Sequence, residues 1–178
     1  MGFLDLAIEI AKKLNSLKNE CGDGESSIEG YARRAVDFPS LMLQGGLASA
    51  MSFYLSKSDI TKVFHYFNYW QKGEKPKMEN KSDKKGSNRY DLCDDMGKES
   101  SKGYSAFMGS LLYILANSGK QECNLENEEK VGSSILECLT SLEQEEVRIE
   151  KKITPILIKL KELSEMLSPR KEGENNEQ

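Results

Sequence analysis

The chain has 178 residues, of which 38% are hydrophobic and 30% charged, and it carries a net charge of −4 at pH 7. That length suits one domain with a real core. The acidic balance excludes a surface that grips nucleic acid on every side but leaves room for a local basic stripe. No apolar run approaches the roughly 20 residues that a bilayer span requires. The N-terminus carries Asp5 and Glu9 inside its apolar part, unlike a secretory leader, so a cytoplasmic protein is expected, with no membrane partner.

Phe3, Leu6, Ala7, Ile10, Leu14 and Leu17 recur at helical spacing, predicting an amphipathic helix over 3–18. Cys21 to Ser27, with Gly22 and Gly24, reads as a loop, and a helix restarts near Ile28. The next stretch runs YARRAVDFPSLMLQGGLASAMSFYLSK, from Tyr31 to Lys57. A break is expected at Asp37-Phe38-Pro39, because proline suits the first turn of a helix, followed by one helix over 40–56. Gly45 and Gly46 then fall in a helix interior, where each costs about 1 kcal/mol relative to Ala. Close packing of a neighbouring backbone against Gln44, Gly45 and Gly46 is the expected compensation. Ser58 or Asp59 can cap the following helix, which turns Ile60, Val63, Phe64, Phe67 and Trp70 inward.

From Gln71 to Gly103 the chain is rich in Lys, Arg, Asp, Glu and Gly and poor in large apolar residues. Such composition cannot offset the entropy of ordering, and 71–103 reads as a mobile charged insertion. Phe107, Met108, Leu111, Leu112, Tyr113, Ile114 and Leu115 predict a buried helix ending near Gly119. Shorter helical segments follow over 128–140 and 143–152. A final stripe of Ile156, Leu157, Leu160, Leu163 and Leu167 is capped by Thr154-Pro155 and stopped by Ser168-Pro169. The expected fold is an all-α single-domain bundle of six or seven helices over 1–168, with a disordered tail over 169–178. Its core should include Leu43, Leu47, Met51, Tyr54, Phe64, Phe67, Phe107, Leu111, Leu115, Leu157 and Leu160.

Catalytic patterns are missing. His65, the one histidine, lies in an aromatic run, and no nucleophile elbow, HExxH or complete P-loop occurs. Cys21, Cys93, Cys123 and Cys138 have no paired spacing, so they read as reduced thiols and neither as a zinc site nor as a disulfide framework. Glu143, Glu145, Glu146 and Glu150 alternate with Arg148, Lys151 and Lys152, as on a solvated helix face. No metal and no cofactor is implied.

Pro39, the aliphatic Leu41-Met42-Leu43, Gln44, Gly46-Leu47, Phe53-Tyr54-Leu55 and Ser56-Lys57 resemble the hallmark helix of the small subunit of type III-B (Cmr) CRISPR effector complexes. The resemblance implies a small helical subunit without enzymatic activity in an RNA-guided antiviral ribonucleoprotein. Its partners would be guide and target RNA, the larger backbone subunits of the effector, and further copies of itself stacked side by side. Sequence would be read by base pairing, leaving the subunit to touch the duplex backbone. On that reading Arg33, Arg34, Lys57, Lys62, Lys151 and Lys152 become the RNA-contact residues, the arginines foremost because a guanidinium binds phosphate bidentately. The small subunit of a type I-A or III-A complex, and a helical protein–protein adaptor without nucleic acid, remain the alternatives.

Overall fold

A computed structural model describes residues 2–22, 27–75 and 91–169. Within these, six helices carry the fold: α1 (Phe3–Glu20), α2 (Glu29–Gly45), α3 (Leu47–Ser56), α4 (Ile60–Lys72), α5 (Tyr104–Asn117) and α6 (Val131–Leu167). Two short 3₁₀ turns, Gln121–Cys123 and Glu128–Lys130, lead from α5 into α6. No strand occurs among the described residues, in keeping with the all-α bundle that the 3.6-residue periodicity predicts.

The bundle is organised around α5, which is buried from Ser105 to Ala116. A helix apolar on all sides must be covered on all sides. Its closest neighbour is α4, and the approach is tightest at Gly109. A Cβ there would stand 2.7 Å from the Tyr66 Cβ and 2.8 Å from the Phe67 backbone nitrogen. α1 and α2 pack along α6, and Trp70, Tyr31, Phe38 and Phe107 fill the space between the layers. Asp59 caps α4 as expected, its carboxylate accepting the Thr61 N–H at 2.9 Å and the Lys62 N–H at 3.2 Å.

The helix boundaries depart from the sequence reading in the middle of the chain. Pro39 lies inside α2, and the break falls seven residues later, at Gly46. This break resets the helical phase. α2 buries Tyr31, Ala35, Phe38 and Met42, so Leu43, one residue past that stripe, faces solvent with 78% exposure. Phe64 packs against the core only partly buried, and Ile60, expected to turn inward on the same helix, is 47% exposed; the remaining residues expected in the core are buried. Thr154-Pro155 likewise starts no helix. Both residues sit within α6, whose one departure from helical backbone is at Glu145 (φ −131°, ψ 18°).

The cysteines are paired, not reduced. Cys21 joins Cys93, and Cys123 joins Cys138, with Cα–Cα separations of 5.5 and 4.6 Å. Scattered sequence positions carry no sign of this, because the fold alone brings residues 72 positions apart into bonding range. The charged stretch expected over 71–103 joins the fold at both ends. Gln71 and Lys72 finish α4, and beyond residue 90 Leu92 and Met96 insert into the core at 4% and 0% exposure. The stretch 76–90, and the tail from residue 170, lie outside the described residues.

Candidate nucleic-acid interface

The proposed RNA-contact residues fall into two groups. Arg33 and Arg34 lie in the second turn of α2, beneath the segment 91–103, which crosses the helix as a strap. Glycine makes the crossing close: the Gly30 N–H donates to the Met96 carbonyl at 2.9 Å. Gly103, at φ +88°, backs directly onto Gly30, leaving no room for a side chain on either. The strap carbonyls then meet the arginines. Arg33 donates to the Lys98 carbonyl at 3.0 Å and pairs with Glu29 at 3.3 Å. Arg34 donates to the carbonyls of Lys102, at 3.1 Å, and Ser100.

Arg34, expected with Arg33 to lead the contacts to phosphate, is only 7% exposed. Its guanidinium lies 3.8 Å from the centre of the Tyr104 ring, a cation–π stack that partly replaces lost hydration. Burial is the largest influence on its pKa and holds it below the usual arginine range. Arg33 keeps 30% of its side chain exposed. Lys62, on α4, and Lys102, in the strap, both lie near the buried Asp95, so Arg33, Lys62, Lys98 and Lys102 gather along this one segment. Lys57, exposed at the C-terminus of α3, has its ammonium 6.0 Å from the Phe53 ring centre.

Lys151 and Lys152 belong to α6. Lys151 is exposed. Lys152 donates to the Ser118 carbonyl beyond the end of α5, and so ties two elements together.

Gln44 and Gly45 do not form the close helix–helix contact expected of them, and Gly46 meets α6 through the Glu146 side chain. Gln44 and Gly45 are exposed, and a Cβ on Gly45 would meet only the Ser49 Cβ, at 3.7 Å. Gly46 instead turns the chain with φ +85° and ψ 161°, a region essentially confined to glycine. The freed start of α3 is capped from α6. The Glu150 carboxylate accepts the Leu47 N–H at 2.7 Å, and Glu146 accepts the Ala48 N–H at 2.8 Å. The sequence pattern puts these glutamates on a solvated face; the i, i+4 spacing in fact turns both toward the positive end of the α3 dipole. Beside this corner, α2 and α3 enclose an open cleft of about 330 Å³, lined by Arg34, Asp37, Ser40, Leu41 and Gln44 and by the rings of Phe53, Tyr54 and Tyr104.

Lys98, Lys102 and Tyr104 escape the sequence reading because the composition of the charged stretch around them argues for mobility. The available signal is Leu92 and Met96, two apolar residues set four apart just ahead of Gly97. Among the described residues no cluster of His, Cys, Asp and Glu could hold a metal ion, and no helix is long and apolar enough to cross a membrane.

Residues 5–152 match the family model described as CRISPR-associated protein (Cas_Cmr5). The chain belongs to this family. It is therefore a Cmr5-type small subunit of type III-B CRISPR complexes, and the match spans α1 to α5 and the first part of α6. No curated protein and no solved structure matches the chain.

Proposed function

We propose that this Cmr5-family chain is a non-catalytic small subunit that stacks side by side with copies of itself along the guide–target RNA duplex. There it contacts the sugar–phosphate backbone, opposite the larger backbone subunits of a cytoplasmic antiviral ribonucleoprotein. The family match over 5–152 carries this reading. The fold is consistent with it: Arg33, Lys57, Lys62 and Lys151 retain solvent access, while Arg34 is buried and, like Arg33 and Lys152, donates to the protein's own carbonyls. Contacts of this kind, repeated over linked copies, add up to avidity even where one acidic subunit alone binds RNA weakly. They carry no sequence information, which suits a complex in which base pairing supplies specificity.

The test is charge reversal in the reconstituted complex. Arg33→Glu, Lys57→Glu and Lys151→Glu, each outside the buried layer, should weaken binding of every target sequence alike. Removing one contact to phosphate should lower the salt slope by roughly 0.7–0.9. Unchanged affinity and slope in a complex that still contains the triple variant would remove the RNA-contact reading. Recovery of target cleavage that depends on a side chain of this subunit would remove the non-catalytic one.

A further inference from the structure

The two disulfides differ in accessibility and in what they fasten. Cys123 and Cys138 are fully buried and join the turn after α5 to α6. Cys21 and Cys93 both keep part of their surface open, and their bond pins the strap to the end of α1. Beyond that bond the strap is held by the Leu92 and Met96 side chains, by the Tyr66 hydroxyl donating to the Leu92 carbonyl, and by the Gly30–Met96 hydrogen bond. The Asp95 carboxylate accepts the Ser105 and Ala106 N–H groups at the start of α5, and the carbonyls of Lys98, Ser100 and Lys102 accept from Arg33 and Arg34. From Gly97 to Lys102 the strap is irregular and buries no apolar side chain, and such a segment opens locally well below the free energy of global unfolding unless a covalent bond prevents it.

We propose that the Cys21–Cys93 disulfide is a redox latch: closed, it keeps the strap over Arg33 and Arg34; reduced, it lets the strap lift and frees both guanidinium groups. The reductant is a dithiol, small or protein-borne. One of its thiolates attacks an accessible sulfur of the pair, giving a mixed disulfide and expelling the other cysteine as a thiolate. Its second thiol then attacks the sulfur of the first and expels the protein cysteine as a thiolate, so two electrons and two protons end on Cys21 and Cys93 and the dithiol leaves as its own disulfide. The buried Cys123–Cys138 bond offers no such approach. That the freed arginines then meet RNA phosphate rests on the function proposed above; the latch itself does not.

The experiment labels the full-length chain with an arginine-specific dicarbonyl, oxidised and after dithiothreitol, and quantifies each site by mass spectrometry. Arg148, 75% exposed, is the internal reference. Reduction should raise Arg34 labelling relative to Arg148 by roughly tenfold, as expected for easier local opening. Cys21→Ser/Cys93→Ser should label like the reduced chain without reductant, and Cys123→Ser/Cys138→Ser should keep the redox response. Equal Arg34 labelling in both states overturns the latch. So does a rise that accompanies loss of cooperative urea unfolding, since the bond would then hold the fold and not the strap. RNA affinity of the reconstituted complex is measured separately in both redox states. If labelling responds to reduction and affinity does not, the latch stands and the arginine–phosphate contact falls.

Discussion

Two corners of this molecule satisfy backbone groups with charged side chains, and they do so with opposite polarity. At the α2–α3 corner, backbone N–H groups are met by the Glu146 and Glu150 carboxylates, delivered by the long helix α6. At the strap, backbone carbonyls are met by the guanidinium groups of Arg33 and Arg34, delivered by α2. The first corner joins helix to helix. The second joins a helix to an irregular segment fastened by one accessible disulfide. Chemistry of similar strength thus makes a fixed joint in one place and a removable cover in the other, and the difference lies in the partner that carries the backbone groups.

Breaking the fixed joint should have the largest effect. Glu146→Ala with Glu150→Ala removes both caps of α3 and should cost about 3 kcal/mol, from typical losses at capping and charge-assisted hydrogen bonds. Urea unfolding monitored by circular dichroism measures it. Gln at both positions keeps the acceptors and should recover part of the loss, which would separate hydrogen bonding from the helix-dipole term. Gly46→Ala attacks the same joint from the backbone side. It forces a side chain into a glycine-only conformation, with its Cβ 2.8 Å from a Glu146 oxygen, and should cost about 2 kcal/mol. Gly45→Ala, one residue earlier and meeting only the Ser49 Cβ at an ordinary 3.7 Å, should instead stabilise by about 0.5 kcal/mol. Opposite signs at adjacent glycines would confirm that the pair marks a corner.

That pair also shows how much of the molecule is legible in the sequence. The helix count, the covering of α5 and the Asp59 cap are legible, because spacing and capping chemistry are local. The Gly45-Gly46 pair is visible as an anomaly but points to helix packing, because its true compensation lies about 100 residues away, at Glu146 and Glu150. The close packing expected there occurs at Gly109, inside a run so apolar that one small residue draws no notice. Arg33-Arg34 stands out as a basic pair, but the strap that covers Arg34 comes from a stretch whose composition argues for mobility. Anchoring by Leu92, Met96 and a disulfide to Cys21 is long-range information that no sequence window contains.

Breaking the removable cover should cost less. Arg34→Met keeps much of the packing against Tyr104 but leaves the Ser100 and Lys102 carbonyls without a donor, and should cost about 1.5 kcal/mol. Arg33→Met should cost about 0.5 kcal/mol, since its ion pair with Glu29 is partly exposed and lies on the helix surface. Hydrogen exchange of the 97–102 amides should rise in Arg34→Met and change little in Arg33→Met. Equal exchange in the two variants would mean that the buried arginine does not hold the strap down.

The smallest effect expected is one of pH, and it sharpens the same comparison from inside the strap. Asp95 is 7% exposed, and one of its carboxylate oxygens has no hydrogen-bond partner. Burial pushes its carboxyl above the usual range, outweighing the opposing pull of Lys62, of the Ala106 and Ser105 N–H groups and of Lys102. A carboxyl raised in the folded state binds its proton more tightly there than in the unfolded chain. Its contribution to stability is therefore complete below the unfolded pKa and is lost as pH rises through the folded one. At neutral pH the strap carries a poorly hydrated charge, a cost that the neutral Asp95→Asn avoids. The stability of Asp95→Asn relative to the parent should accordingly be more favourable at pH 7 than at about pH 4, within the ordinary carboxylate range and below the raised one of the folded parent. Paired urea titrations at the two values give the difference, and exchange of the 97–102 amides places it in the strap. A difference of opposite sign would mean that Lys62 and Lys102 outweigh burial and that the charge helps to hold the strap closed.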